Sequence, residues 1–252
     1  MNLLSLNRWK ASTIHLIGSA LIALTIVVLM VALWYPGAYF TAMGGKKLLM
    51  IVVGVDVVIG PLITLIIFDP KKKSLLFDLG VIFALQLAAL AYGCYVMFDA
   101  RPVYNVFVVD RFDLIAANQI SADVLQKGTP EFQSLPLNGP RVIAVRRIDD
   151  PKRQFDISMD TLNGGRDLSE MPEFYVPYEG FAPRAAQRSR PLAELEKKQP
   201  DQAEAIRKFV ADSGRKADEI GYLPMKARNR DMSVVVDKTT GAIIGFLDVE
   251  PW

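Results

Sequence analysis

The chain has 252 residues, a net charge of +2, 51% hydrophobic and 22% charged residues, and a mean hydropathy of +0.23. That average joins two compositions: before Phe98 the ionised side chains sit in short clusters between long apolar runs, and from Asp99 onward acids and bases intersperse at soluble density. The charge pattern lacks the basic patch with interleaved aromatics that nucleic-acid binding needs. Cys94, the single cysteine, excludes an intramolecular disulfide; His15, the single histidine, lies at the mouth of the first apolar run, which leaves no histidine for a triad in the soluble part and too few for a multi-histidine metal site.

Residues 14–33, 48–68 and 75–98 each supply about twenty mostly apolar positions, the length an α-helix needs to cross about 30 Å of hydrocarbon. The first run is too long for a cleaved signal peptide and ends in bulky Trp34 and Tyr35, so it reads as a retained anchor. Arg8 and Lys10 precede the first helix and Lys71, Lys72 and Lys73 fill the second loop, against Lys46, Lys47 and Arg101 on the other face. This bias predicts a cytoplasmic N-terminus and an external C-terminal domain, periplasmic for a bacterial inner membrane.

The second helix carries Asp56, Gly60 and Pro61 within an apolar run. Asp56 follows Lys47 by nine residues, about 13 Å of helix rise, which puts a costly carboxylate near the midplane. Pro61 removes an amide donor, Thr64 can hydrogen-bond back to Gly60, and a kink is expected just past Asp56. Gln86 in the third helix comes level with Asp56 in antiparallel packing, so the two side chains are expected to hydrogen-bond, with Gly54 and Gly60 permitting close approach. The bland alternative, that the pair only locks two helices together, outweighs a proton or ion path; contact with a partner's helix is the third reading. Asp78 suits a helix N-terminus and an ion pair with Lys71 or Lys73.

Past the membrane region, placed at 1–98, residues 99–252 read as a soluble α+β domain on a mainly antiparallel sheet. Residues 101–112 suggest one strand, 121–127 a helix, 141–148 a second strand, and 163–191 mostly loop. Residues 191–213 are amphipathic with an interruption at Pro200. Residues 231–237 and 242–249 form a β-hairpin, with Gly241 where the turn needs positive φ. About 150 residues can bury such a core. Gly44-Gly45-Lys46-Lys47 fails the phosphate-loop spacing, and residues 160–171 fail a calcium loop at the third, fifth and twelfth positions. The reading is a non-enzyme without cofactor or metal. A serine–lysine hydrolase would need a geometry that spacing does not reveal.

Nearly end to end, the chain resembles the type IV pilin accessory protein family. The resemblance rests on Val55-Asp56 through Gly60-Pro61-Leu62, on Phe68-Asp69-Pro70-Lys71-Lys72, on Asp78 with Gln86, and on Arg101-Pro102 followed by Asp110-Arg111-Phe112. It implies an inner-membrane, non-enzymatic helper that modulates the level, stability or assembly of a cognate major pilin, with other pilus assembly proteins and membrane lipid as further partners. Asp56, Gly60, Pro61 and Gln86 are the candidates for membrane-side organisation or partner contact, and Arg101, Asp110 and Arg111 for orienting the domain against the bilayer. The competing class is a membrane sensor whose external domain binds a small ligand; the short cytoplasmic segments offer it no output domain.

Overall fold

The structure is a computed structural model that describes residues 7–252. Asn7 caps the first helix, its side-chain oxygen accepting the Lys10 amide at 2.9 Å. This helix, α1 (Arg8–Leu29), continues as a π-helical turn, Met30–Trp34. A short helix α2 (Ala38–Ala42) precedes α3 (Gly45–Val53), a π-helical turn (Gly54–Ile59) and α4 (Gly60–Ile67), which form one rod; α5 spans Leu75–Asp99. Three stretches, Arg8–Trp34, Gly45–Ile67 and Leu75–Asp99, are long and apolar enough to cross a membrane. Leu21, Ile66, Phe77 and Leu85 expose most of their apolar surface, the outward-facing pattern that lipid rather than water rewards.

The expected break near Asp56 takes the form of that π turn: the Gly60 amide bonds to the carbonyl of Val55, five residues back. The wider turn lies just ahead of Pro61, which has no amide to offer, and absorbs its ring without ending the helix.

The chain divides into two compact units: one holds the chain up to Leu33 with Gly45–Asp99, the other Trp34–Gly44 with Ala100–Trp252. The second is built on an eight-stranded sheet. Its strands are β1 (Pro102–Val108), β2 (Arg111–Ala116), β3 (Arg141–Val145), β4 (Tyr175–Pro177), β5 (Arg190–Pro191), β6 (Ile220–Lys226), β7 (Met232–Asp237) and β8 (Ile243–Leu247). They run in the order β4-β3-β1-β2-β6-β7-β8, with β5 against β6. The helices are α6 (Ala122–Leu125), α7 (Pro151–Leu162), α8 (Ala182–Arg188), α9 (Leu192–Lys198) and α10 (Ala203–Ser213).

The sheet is mixed, which corrects the mainly antiparallel expectation: β1 pairs with β3, and β2 with β6, in parallel. A parallel pair needs a long crossover, and the segment through α6 carries the chain from β2 past β1 to β3. The run at 101–112 is not one strand but β1, a tight turn and the start of β2. The segment expected as loop at 163–191 contains β4 and α8. The break at Pro200 is a 3₁₀ turn between α9 and α10, and the β7–β8 hairpin turns at Gly241 with φ 74°, both as expected.

One core lies around Tyr104, Phe132 and Tyr175, whose rings meet edge to face. The Tyr104 hydroxyl donates to the Ser134 carbonyl at 3.1 Å and that of Tyr175 to Ser169 at 2.6 Å, so neither is buried without a partner. A second core packs Leu195 and Ile206 against Tyr222 and Val235.

Candidate functional site

In the helical unit, polar side chains repeat at helical spacing on facing surfaces. Ser12, His15 and Ser19 make a stripe on α1; Asp56 and Thr64, with Gly60 between them, lie along one through the π turn and α4. The Ser12 hydroxyl donates to the Pro61 carbonyl at 2.9 Å, and His15 Nδ1 shares a proton with Thr64 Oγ1 at 2.7 Å. The Pro61 carbonyl thus ties α1 to α4.

Asp56 is 6% exposed, and Gln86 reaches it, but not side chain to side chain as expected. Gln86 Nε2 donates to the main-chain carbonyl of Asp56 at 3.3 Å. The π turn displaces that carbonyl from regular helical pairing, which lets a side-chain amide take it. Gly60 explains the approach: a Cβ there would collide with the Gln86 amide. Gly54 has no such role, since nothing lies within 4 Å of where its Cβ would be. Asp56 Oδ1 and Gln86 Oε1 are buried oxygens without a hydrogen-bond partner among the described residues. Both side chains line a cavity of about 230 Å³ with His15, Ser19 and Phe83. Chemically, the site sets a carboxyl and a side-chain amide oxygen, each able to join a hydrogen bond, in apolar surroundings.

Asp78 pairs with Lys72 at 2.6 Å rather than with Lys71 or Lys73. The turn before α5 puts Lys72 over the helix start, where the Lys72 carbonyl also accepts the Leu75 amide.

The domain candidates do not come together. Arg101 is buried at the head of β1; its Nε donates to the Pro136 carbonyl at 3.3 Å and its own carbonyl accepts the Ala117 amide. Asp110 and Arg111 lie at the other end of β1, about 20 Å away at 3.3 Å per residue. Arg111 forks onto Asp113 at 2.8 and 3.2 Å and reaches Asp167 at 3.5 Å. Asp110 is exposed in the turn, where its amide bonds to the Val108 carbonyl at 2.7 Å.

Within the same unit, Trp34–Gly44 is built into the domain. The Ala42 carbonyl accepts the amides of Asn229 and Arg230 at 3.0 and 3.2 Å, and the buried Tyr39 ring packs on Phe246 with centroids 4.8 Å apart. Sequence reasoning passed over this strap. Its apolar positions Tyr35, Tyr39, Ala42 and Met43 were the available trace.

Three helices long and apolar enough to span a membrane, joined to a mixed-sheet soluble domain, fit a membrane protein. A family model described as fimbrial assembly protein FimB matches residues 5–44, the first apolar helix and the strap. Fimbrial assembly proteins of Dichelobacter nodosus serogroups E1 and I are each 30% identical over 233 residues, 91% of this chain and 90% of theirs. That of serogroups C1 and C2 is 37% identical over 118 residues, 46% of this chain and 90% of the relative. This chain belongs to the fimbrial assembly protein family, in agreement with the resemblance read from Asp56 through Arg111. No solved structure matches it.

Proposed function

We propose that this protein acts in fimbria assembly as a non-enzymatic accessory factor of the bacterial inner membrane that modulates the stability, level or assembly of a cognate type IV pilin by direct contact. The observation that carries the reading is family membership along 91% of the chain, helices and domain alike. A pilin awaiting assembly is an apolar helix with a globular head, so a helper needs a helical surface and a body outside the bilayer. The buried acceptors of Asp56 and Gln86 suit a donor on a partner's helix, with Gly60 and Pro61 shaping the site. Arg101, from the head of β1, and Asp110 with Arg111, from its far end, are the candidates for orienting the domain against the bilayer.

The topology we favour has the N-terminus in the cytoplasm and the domain in the periplasm. The strap between the first two long helices belongs to the same compact unit as the C-terminal domain, which fits three spans with both on one side, and the bias of Arg8, Lys10 and Lys71 to Lys73 against Lys46, Lys47 and Arg101 supports the direction.

Deleting the gene and measuring total cellular pilin and surface pili together tests the reading, with complementation by wild type and Asp56→Ala. Surface pili are expected to fall while unrelated envelope proteins hold steady, and total pilin separates a role in stability from one in assembly. Unchanged pili and pilin would refute it. Full rescue by Asp56→Ala would remove Asp56 from the contact.

A further inference from the structure

The soluble domain carries a groove of about 690 Å³ at the C-terminal ends of β1 and β3. Arg146 and Arg147 leave β3 on one side; Arg184 and Arg188, one helical turn apart on α8, stand on the other. Gln154 and Gln187 add uncharged donors, and no carboxylate lines the groove. Among the described residues none of these arginines forms a salt bridge, although the domain pairs Arg111, Arg141, Arg153, Arg215 and Arg230 with acids. Arg146 stacks its guanidinium over the Phe174 ring with its centre 5.2 Å from the ring centroid, and with no acid among the lining residues the four like charges give the groove a positive potential that favours an anion.

The floor is apolar: Val108, Val145, Ile148 and Leu168. Val109 stands at the lip with φ 58° and 53% exposure, in a γ-turn closed by the 2.7 Å bond from the Asp110 amide to the Val108 carbonyl. Positive φ is strained for a β-branched residue, and such strain persists where the surroundings enforce it. Here the strain presents an apolar side chain to solvent beside an arginine wall.

We propose that this groove binds an acidic peptide segment with interspersed apolar side chains, its carboxylates meeting Arg146, Arg147, Arg184 and Arg188 and its apolar groups meeting the floor and Val109. The apolar residues beside the arginines favour a polypeptide with apolar side chains over a bare phosphate, which guanidinium forks alone would satisfy. The proposal goes beyond the fimbrial reading, which its failure would leave intact.

The test uses the full chain in zwitterionic detergent and fluorescence anisotropy of a rhodamine-labelled decapeptide alternating glutamate with valine, beside its glutamine counterpart. The glutamate peptide is expected to bind saturably and about tenfold or more tighter than the glutamine one, with an affinity that falls as salt rises. Arg184→Glu with Arg188→Glu, and separately Arg147→Glu, are each expected to weaken it about tenfold. Arg207→Glu with Lys208→Glu, the same charge change on exposed α10 positions, should leave it within about twofold. Equal binding of both peptides, equal loss in the α10 control, or no saturable binding would overturn the proposal. Displacement by inorganic phosphate or phosphatidylglycerol vesicles at matched anion concentration would overturn the peptide as ligand in favour of a phosphate.

Discussion

Arg111 and Asp113 show how a single pair is held. The Asp113 side chain is 5% exposed and that of Arg111 33%, so removing the arginine strands a buried carboxylate. Arg111→Ala is expected to cost about 1–3 kcal/mol in denaturant unfolding, the lower part of the range reflecting the arginine's partial exposure. Arg111→Met with Asp113→Leu should recover most of it, because apolar partners leave no orphaned charge. Asp237 is sensitive to pH in a defined direction. Its Oδ1 accepts the amides of Thr240 and Thr239 and the Thr240 hydroxyl, and these bonds, Thr240's amide foremost, hold the carboxyl below the usual carboxylate range. A depressed folded pKa contributes stability above the unfolded value, about 4, and loses it as pH falls through the folded value. Melting followed from pH 7 to pH 3 should therefore fall more steeply for wild type than for Asp237→Asn, which keeps an acceptor but does not titrate. In the helical unit, Gly60→Ala is expected to push the Gln86 amide off the Asp56 carbonyl, costing about 1 kcal/mol in thermal unfolding, and to be non-additive with Gln86→Leu, since both remove one bond. That Asp56 and Gln86 would meet was legible from helix rise alone. Which atom of Asp56 takes part was not, because the π turn decides which carbonyl is free.

At the level of elements, the strap and the two hairpins teach different things. The β7–β8 hairpin was readable because its determinants are local: two short runs rich in β-branched residues on either side of a glycine with positive φ, a glycine whose Cβ would also strike the Ala182 backbone. The β1–β2 hairpin was not, because its turn puts β-branched Val109 at φ 58°, a conformation usually taken by glycine or asparagine. α8 hid in a Pro- and Gly-rich stretch, since Pro183 sits within its first turn, where proline's missing amide costs nothing. The strap escaped notice because α2 is too short to show periodicity, and its stability comes from Tyr39 against Phe246 and from the amides of Asn229 and Arg230. Tyr39→Ala is expected to cost about 3–5 kcal/mol in unfolding of the domain and to raise proteolysis within 34–44, whereas exposed Thr41→Ala should stay within about 0.5 kcal/mol.

Across the whole molecule, the orientation of the helices yields a direct check. In a Cys94→Ala background, Lys216→Cys in the domain is expected to react with a membrane-impermeant maleimide in cells whose outer membrane is permeabilised, and Lys73→Cys in the second loop only after lysis; the reverse pattern would invert the topology. The amino-acid sequence by itself determined that three segments are apolar enough to span a bilayer, that a soluble domain follows them, and that Asp56 and Gln86 sit at matching heights. Those are properties of length, composition and rise per residue, which need no knowledge of the partner segment. Only the tertiary structure decided that the sheet is mixed, that the strap belongs to the domain, that His15 meets Thr64, and that arginines from β3 and α8 face one groove. Each joins residues far apart in the chain, through crossovers and side-chain pairings whose free energy depends on what the fold brings alongside, and no local pattern encodes that.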